Sequence, residues 1–140
     1  MPKPLEYTHA GTYFSKFMND AQKALNAPTS NVTYTAVQSV FMVFRRRLTL
    51  KQSILFASAL PVILRALYIQ DWDTNEEILK FSNMTALNNE ALSLRKHHNF
   101  SPENTIEIVA DVLKRHVDED VFKKRLKEIS QDAYNFWVPD

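Results

Sequence analysis

The densest chemistry in the chain is basic: Arg45-Arg46-Arg47, with Lys51 one turn further on. Cations so spaced can hold a phosphate, and through it a nucleic acid, because guanidinium groups pair bidentately with phosphate oxygens. The competing expectation is structural. Consecutive helical residues fan round the axis, so three arginines cannot share one face. Cations at a helix C-terminus also answer its partial negative charge unaided. A net charge of +1 argues against a dedicated nucleic-acid binder.

The remaining candidates for chemistry are sparse. His97 and His98 are adjacent, so on a helix they point about 100° apart and do not grip one ion together. His116, with Asp118, Glu119 and Asp120, could cradle a hard cation. A histidine at one helix end and acids at the next helix start are equally explained by the helix dipoles. No two-histidine zinc spacing occurs, so no metal or cofactor is expected. The chain has no cysteine, which removes thiolate sites, cysteine nucleophiles and disulfides. Its single glycine, Gly11, cannot build the turns of dinucleotide-binding, P-loop or nucleophile-elbow motifs. The acids Glu77, Glu103 and Asp118 sit where helix caps want them, so no catalytic residue is assigned and the reading leans away from an enzyme.

These residues must be positioned by helices. Asn-Gly and Asp-Gly hairpin signals are absent, and apolar residues recur at helical spacing throughout. A first helix is predicted over 12–26, carrying Phe14, Phe17, Met18, Ala21 and Leu25. A second runs over 31–47, with Val37, Val40, Phe41, Phe44 and Leu48 along one stripe. Thr49 and Gln52 form a capping box that opens a third. Pro61 should kink or break it near Leu60. A second capping box, Thr74 with Glu77, predicts a helix reaching toward Lys96. Ser101-Pro102-Glu103 predicts another helix start. Asp118 opens the last helix, expected to continue through Ser130 toward Trp137.

An internal repeat orders these elements. With the chain slid by 69 residues, Val37 lies over Ile106, Val40 over Val109, Phe44 over Leu113 and Leu48 over Val117. The cap Thr49 meets the cap Asp118, and Arg45-Arg46 meets Lys114-Arg115. The expectation is an all-α bundle of about seven helices in one domain, 12–137. It comprises two related units, about 12–72 and 75–137, after an extended segment over 1–11.

The units differ at one place: Ile54-Leu55-Phe56 overlies Lys123-Lys124-Arg125. An apolar run on all sides predicts a central, buried helix pair. The N-terminal helix would then cover the run through Phe14 and Phe17. Otherwise Ile54, Leu55 and Phe56 form a contact surface for a protein partner or a second copy. The uncharged run from Gln52 to Leu64, ended by Arg65, is shorter than the roughly 20 residues of a membrane helix. The N-terminus has no apolar signal region, so a cytoplasmic location is expected and the sequons at Asn31 and Asn83 carry no weight.

The sequence around Leu60-Pro61, Leu64-Arg65, Leu67-Tyr68 and Trp72, preceded by the basic helix end Arg45 to Leu48, resembles a bacterial domain-of-unknown-function family, numbered 2267. Asp71 stands where that pattern carries glycine before the tryptophan, and the second half has no Leu-Pro. The resemblance implies an all-helical fold with two related halves over about 12–137, and no substrate or catalytic residue. The role expected is a non-catalytic structural or protein-interaction module. The alternatives are anion or nucleic-acid binding at the basic helix end, and an enzyme with an unrecognised site.

Overall fold

The computed structural model describes residues 4–95 and 102–139. Among them are nine helices and no strand: α1 Leu5–Thr8, α2 Ala10–Leu25, α3 Ser30–Arg45, α4 Leu50–Ala57, α5 Val62–Ile69, α6 Met84–Ser93, α7 Thr105–Lys114, α8 Glu119–Ile129 and α9 Gln131–Trp137. None is long and apolar enough to cross a membrane. The all-α reading holds, with more breaks than expected.

Each helix buries the stripe its spacing dictates. Phe17, Ala21 and Leu25 of α2 face inward, and Asn26 ends the helix in the left-handed region at φ 52°. Thr29 caps α3, and Val37, Val40, Phe41, Phe44 and Leu48 are all buried. The capping box at Thr49 forms on both sides, with Gln52 N–H to Thr49 Oγ1 at 3.1 Å and Thr49 N–H to Gln52 Oε1 at 2.9 Å. At Pro61 the chain breaks rather than kinks: α4 ends at Ala57, and Pro61 stands just before α5.

Four expectations are corrected. Residues 5–8 form a helical turn and α2 starts at Ala10, so the N-terminal segment is not simply extended. The box at Thr74 opens no helix. Asp73 accepts the N–H of Asn75 on its side chain and that of Glu76 on its carbonyl, making a turn. Downstream, Leu79 N–H donates to Arg46 O at 3.0 Å and Arg47 Nε donates to Lys80 O at 3.1 Å. A helix there would withdraw both groups, so α6 waits for the cap at Asn83. The last helix is also interrupted, because Ser130 turns extended and its hydroxyl accepts from Ala133 N–H at 3.0 Å, the competition serine offers a continuous helix. Finally, α4 is not buried on every side, since Leu50 and Ile54 face solvent. Lys96 and Ser101 lie outside the described residues, but α6 ends at Ser93, short of Lys96, and α7 starts at Thr105, after Pro102 and Glu103.

In the packing, α2 and α6 each lie against both α3 and α7, α4 lies against α8, and α9 closes on α8 and α7. The centre is aromatic. Trp137, fully buried, is ringed by Phe41, Phe44, Phe56, Phe122 and Phe136 at centroid distances of 5.1–6.0 Å. Such pairs contribute about 0.5–1.5 kcal/mol each beyond their burial. The Tyr68 hydroxyl, inside this cluster, is paired with Ser53 Oγ at 2.9 Å, and burial pushes its ionisation well above the ordinary phenol range.

Asp71 follows α5 at φ 54°, the left-handed conformation in which a side chain crowds its own backbone. That explains glycine in the resembling pattern. Asp71→Gly is expected to raise the unfolding free energy by up to about 1 kcal/mol, the relief being offset in part by a more flexible unfolded chain. Asp71→Val should lower it by about 1–2 kcal/mol. Urea unfolding of the two variants checks the sign; a destabilised glycine variant would contradict the strain.

Candidate functional site

The basic run lies at the end of α3, where Arg45 turns away from Arg46 and Arg47. Arg45 is buried and donates from one nitrogen to Tyr68 O at 2.9 Å and Gln70 O at 3.0 Å, with Trp72 5.6 Å beneath its guanidinium. Burial pushes the Arg45 guanidinium below its usual range. Arg47, also buried, forks onto Glu90 at 2.7 and 2.8 Å and donates to Val43 O at 2.8 Å. Arg46 stands between Glu76 at 3.5 Å and Glu90 at 3.4 Å. Lys51 is exposed on α4. Arg46 and Arg47 thus converge on the Glu90 carboxylate while Arg45 is tied to backbone carbonyls, so the anion that the run holds is an internal one.

Ile54, Leu55 and Phe56 are likewise separated. Ile54 is 62 % exposed, Leu55 is half-buried, and Phe56 is fully buried against Phe44, Tyr68, Phe122 and Trp137. The inward face of α4 takes Phe56, so the three residues do not form one contact surface, and aromatic rings other than Phe14 and Phe17 surround it.

His116 does not turn toward Asp118, Glu119 and Asp120. Its Nε2 meets Asp20 Oδ2 on α2 at 2.7 Å, and its ring stands edge-on to Phe17 at 5.6 Å. Asp118 is occupied as the cap of α8, accepting from Val121 N–H at 3.2 Å. Among the described residues no three of His, Asp and Glu gather into a metal-binding group. His97 and His98 lie outside the described residues.

The structure assembles a cleft that the sequence does not announce. It has a volume of about 380 Å³ and lies between the N-terminal half of α2, the turn joining α4 to α5 and the turn joining α7 to α8. Tyr13, Phe14, Leu60, Pro61, Val62 and Val117 supply apolar walls. The face of the N-terminal arm turned toward it carries Glu6, Ala10, Tyr13, Phe14 and Phe17, one helical stripe. Several polar wall groups are already engaged. Arg65 donates to Leu60 O at 2.9 and 3.3 Å and lies 3.7 Å from Glu6 across the rim. Ser58 Oγ donates to Leu55 O at 2.7 Å, and His116 holds Asp20. The volume is within the range of ligand clefts. Its chemistry is chiefly apolar contact.

Arg47 holds the Glu90 carboxyl below its ordinary range, chiefly by hydrogen bonding, against an opposing push from burial. The folded state therefore binds fewer protons than the unfolded chain in that window. The stabilisation is fully present above the unfolded carboxylate value of about 4.3 and is lost as pH falls through the depressed folded value. The gap in unfolding free energy between the protein and Glu90→Gln is expected to be widest near neutral pH and to shrink below about pH 4.5. Denaturant melts across pH measure it, and a gap constant with pH would contradict the pairing.

No curated protein matches the chain. A family model described as an uncharacterized conserved protein, DUF2267, matches residues 14–136. That span runs from Phe14, on the wall of the cleft, to Phe136, in the aromatic centre, and so takes in almost the whole bundle: the chain belongs to the DUF2267 family.

Proposed function

We propose that the chain is a non-catalytic helical recognition module that contacts a protein partner through the cleft beside α2. The observation that carries this reading is an open apolar cleft several of whose polar wall groups are already engaged: Arg65 with Glu6 and Leu60 O, Ser58 with Leu55 O, His116 with Asp20. Acid-base catalysis needs groups available to a substrate. Apolar recognition needs area and shape. Binding of an anion through Arg45, Arg46, Arg47 and Lys51 is the weaker reading, because it would break buried bonds from Arg45 and Arg47 that hold the fold.

The scaffold reading includes a duplicated helical unit. Leu50 and Glu119 open α4 and α8, and Val62 and Gln131 open α5 and α9. Both pairs keep the 69-residue offset of the apolar register. The extended residues before α5 and α9, Pro61 and Ser130, are partners at the same offset. The like packing of α2 and α6 against α3 and α7 also supports it.

Replacing Tyr13 with a benzophenone amino acid, in cells of the natural host, tests the recognition role. Irradiation is expected to give discrete protein adducts at Tyr13 and none from the same group at Ile78, which is exposed elsewhere. Equal labelling at both positions, or none at Tyr13, would contradict it.

A further inference from the structure

The N-terminal arm is held in place by little. α1 buries none of its residues and has no side-chain cap, and Leu5 and Tyr7 are 71 % and 50 % exposed. A helix of one turn does not stand unaided. Among the described residues, the only ion pair or side-chain hydrogen bond made by α1 is that of Glu6 with Arg65 at 3.7 Å. The two ends of this contact differ. Arg65 is fixed on the far wall of the cleft by Leu60 O at 2.9 and 3.3 Å, whereas Glu6 is carried by the arm. Both line the cleft, so the arm is tied across its edge by one exposed pair. Such a pair shifts an equilibrium by no more than about fivefold.

The arm also has a place to bend. His9 leaves helical geometry at φ −106° and ψ 16°, and its side chain makes no cap for α2. Gly11, the chain's only glycine, follows in the first turn of α2. It does not have a positive φ, and no other part of the described chain lies within 4 Å of the position its Cβ would take. Neither backbone conformation nor close packing therefore requires glycine there. What it supplies is a softened helix start, about fivefold less stable than with alanine. We propose that residues 4–9 are a strap over the edge of the cleft, hinged at 9–11 and latched by Glu6 on Arg65, and that its release admits the partner. The proposal rests on the cleft being a recognition surface and adds how access to that surface is regulated. A partner must take the place of Glu6, so the arm acts as an internal competitor.

The chain has no cysteine, so a thiol introduced on the cleft wall is unique. Its rate of reaction with N-ethylmaleimide, an uncharged reagent, reads access to the cleft. Val62→Cys and, separately, Ala59→Cys place the thiol at two half-buried wall positions. In both backgrounds Glu6→Gln is expected to raise the rate by about two- to fivefold, and Gly11→Ala to lower it by about the same factor. Salt at about 1 M should bring the rates with and without Glu6→Gln together. The thiol of Ile78→Cys, exposed elsewhere, should respond to neither change. In the natural host, Glu6→Gln should also raise the yield of protein adducts from benzophenone at Tyr13. Wall thiols that react equally in all variants would overturn the strap, and adducts at Tyr13 would then leave the recognition role standing. Changed rates with an unchanged adduct yield would overturn the regulation of access. Changed rates without any adduct would overturn the recognition role and leave the latch.

Discussion

The end of α3 lies inside the protein, and that single constraint shapes much of the rest. A helix end carries carbonyls without intrahelical donors, and here the last turn also carries three guanidinium groups. Such groups can be buried only if their donors are met, since an unpaired buried charge costs several kcal/mol. The fold meets nearly all of them by bringing other segments to the arginines, only Arg45 Nε of this run being buried without a partner among the described residues. Arg45 takes the carbonyls that end α5, and Arg47 takes Lys80 O and the Glu90 carboxylate of α6. The connection between α5 and α6 is therefore held extended across the helix end, with Leu79 bonded to Arg46 O. Phe81 is brought down onto Phe44 and Phe136.

This polar tie and the aromatic centre are adjacent and support one another. Phe44 precedes Arg45 and touches Phe56, Phe81, Phe136 and Trp137. Fixing the guanidinium donors fixes the register in which these rings interlock. The other end of the molecule is built differently. The N-terminal half of α2 stands largely exposed until Phe17 reaches the core, and the cleft beneath it is apolar. One end of the bundle is closed by strong specific bonds; the other leaves apolar surface exposed.

Much of the helical architecture was legible because its signals are local. The stripe of α3, the box at Thr49 and the cap at Asp118 each depend on residues within a few turns of one another. Local signals failed where distant groups compete for the same backbone. Thr74 and Glu77 have the residue types of a capping box, but the carbonyl of Lys80 is needed by Arg47, and no local pattern records that demand. Ser130 breaks a helix that its apolar spacing would continue. Ile54-Leu55-Phe56 looked like one patch because composition does not say which side of α4 faces inward. The cleft was invisible for a related reason. Its walls come from segments far apart in the chain, and its His116–Asp20 contact spans 96 residues. Phe14, Phe17 and His116 each carry a local signal, and no local pattern brings them together.

The central claim is that the basic run exists to be paired inside the fold. A double-mutant cycle on Arg47 and Glu90 in urea, using Arg47→Met and Glu90→Leu, tests it most directly. Glu90→Leu is expected to lose about 3–5 kcal/mol, because it leaves the buried Arg47 guanidinium without its counter-charge, and Arg47→Met somewhat less, because the half-buried Glu90 keeps Arg46 at 3.4 Å. The double variant should lose much less than the sum, giving a coupling of at least about 2 kcal/mol. Two small, additive losses would mean that the pair behaves as a solvated surface contact, and the arginines would again be free to serve a ligand.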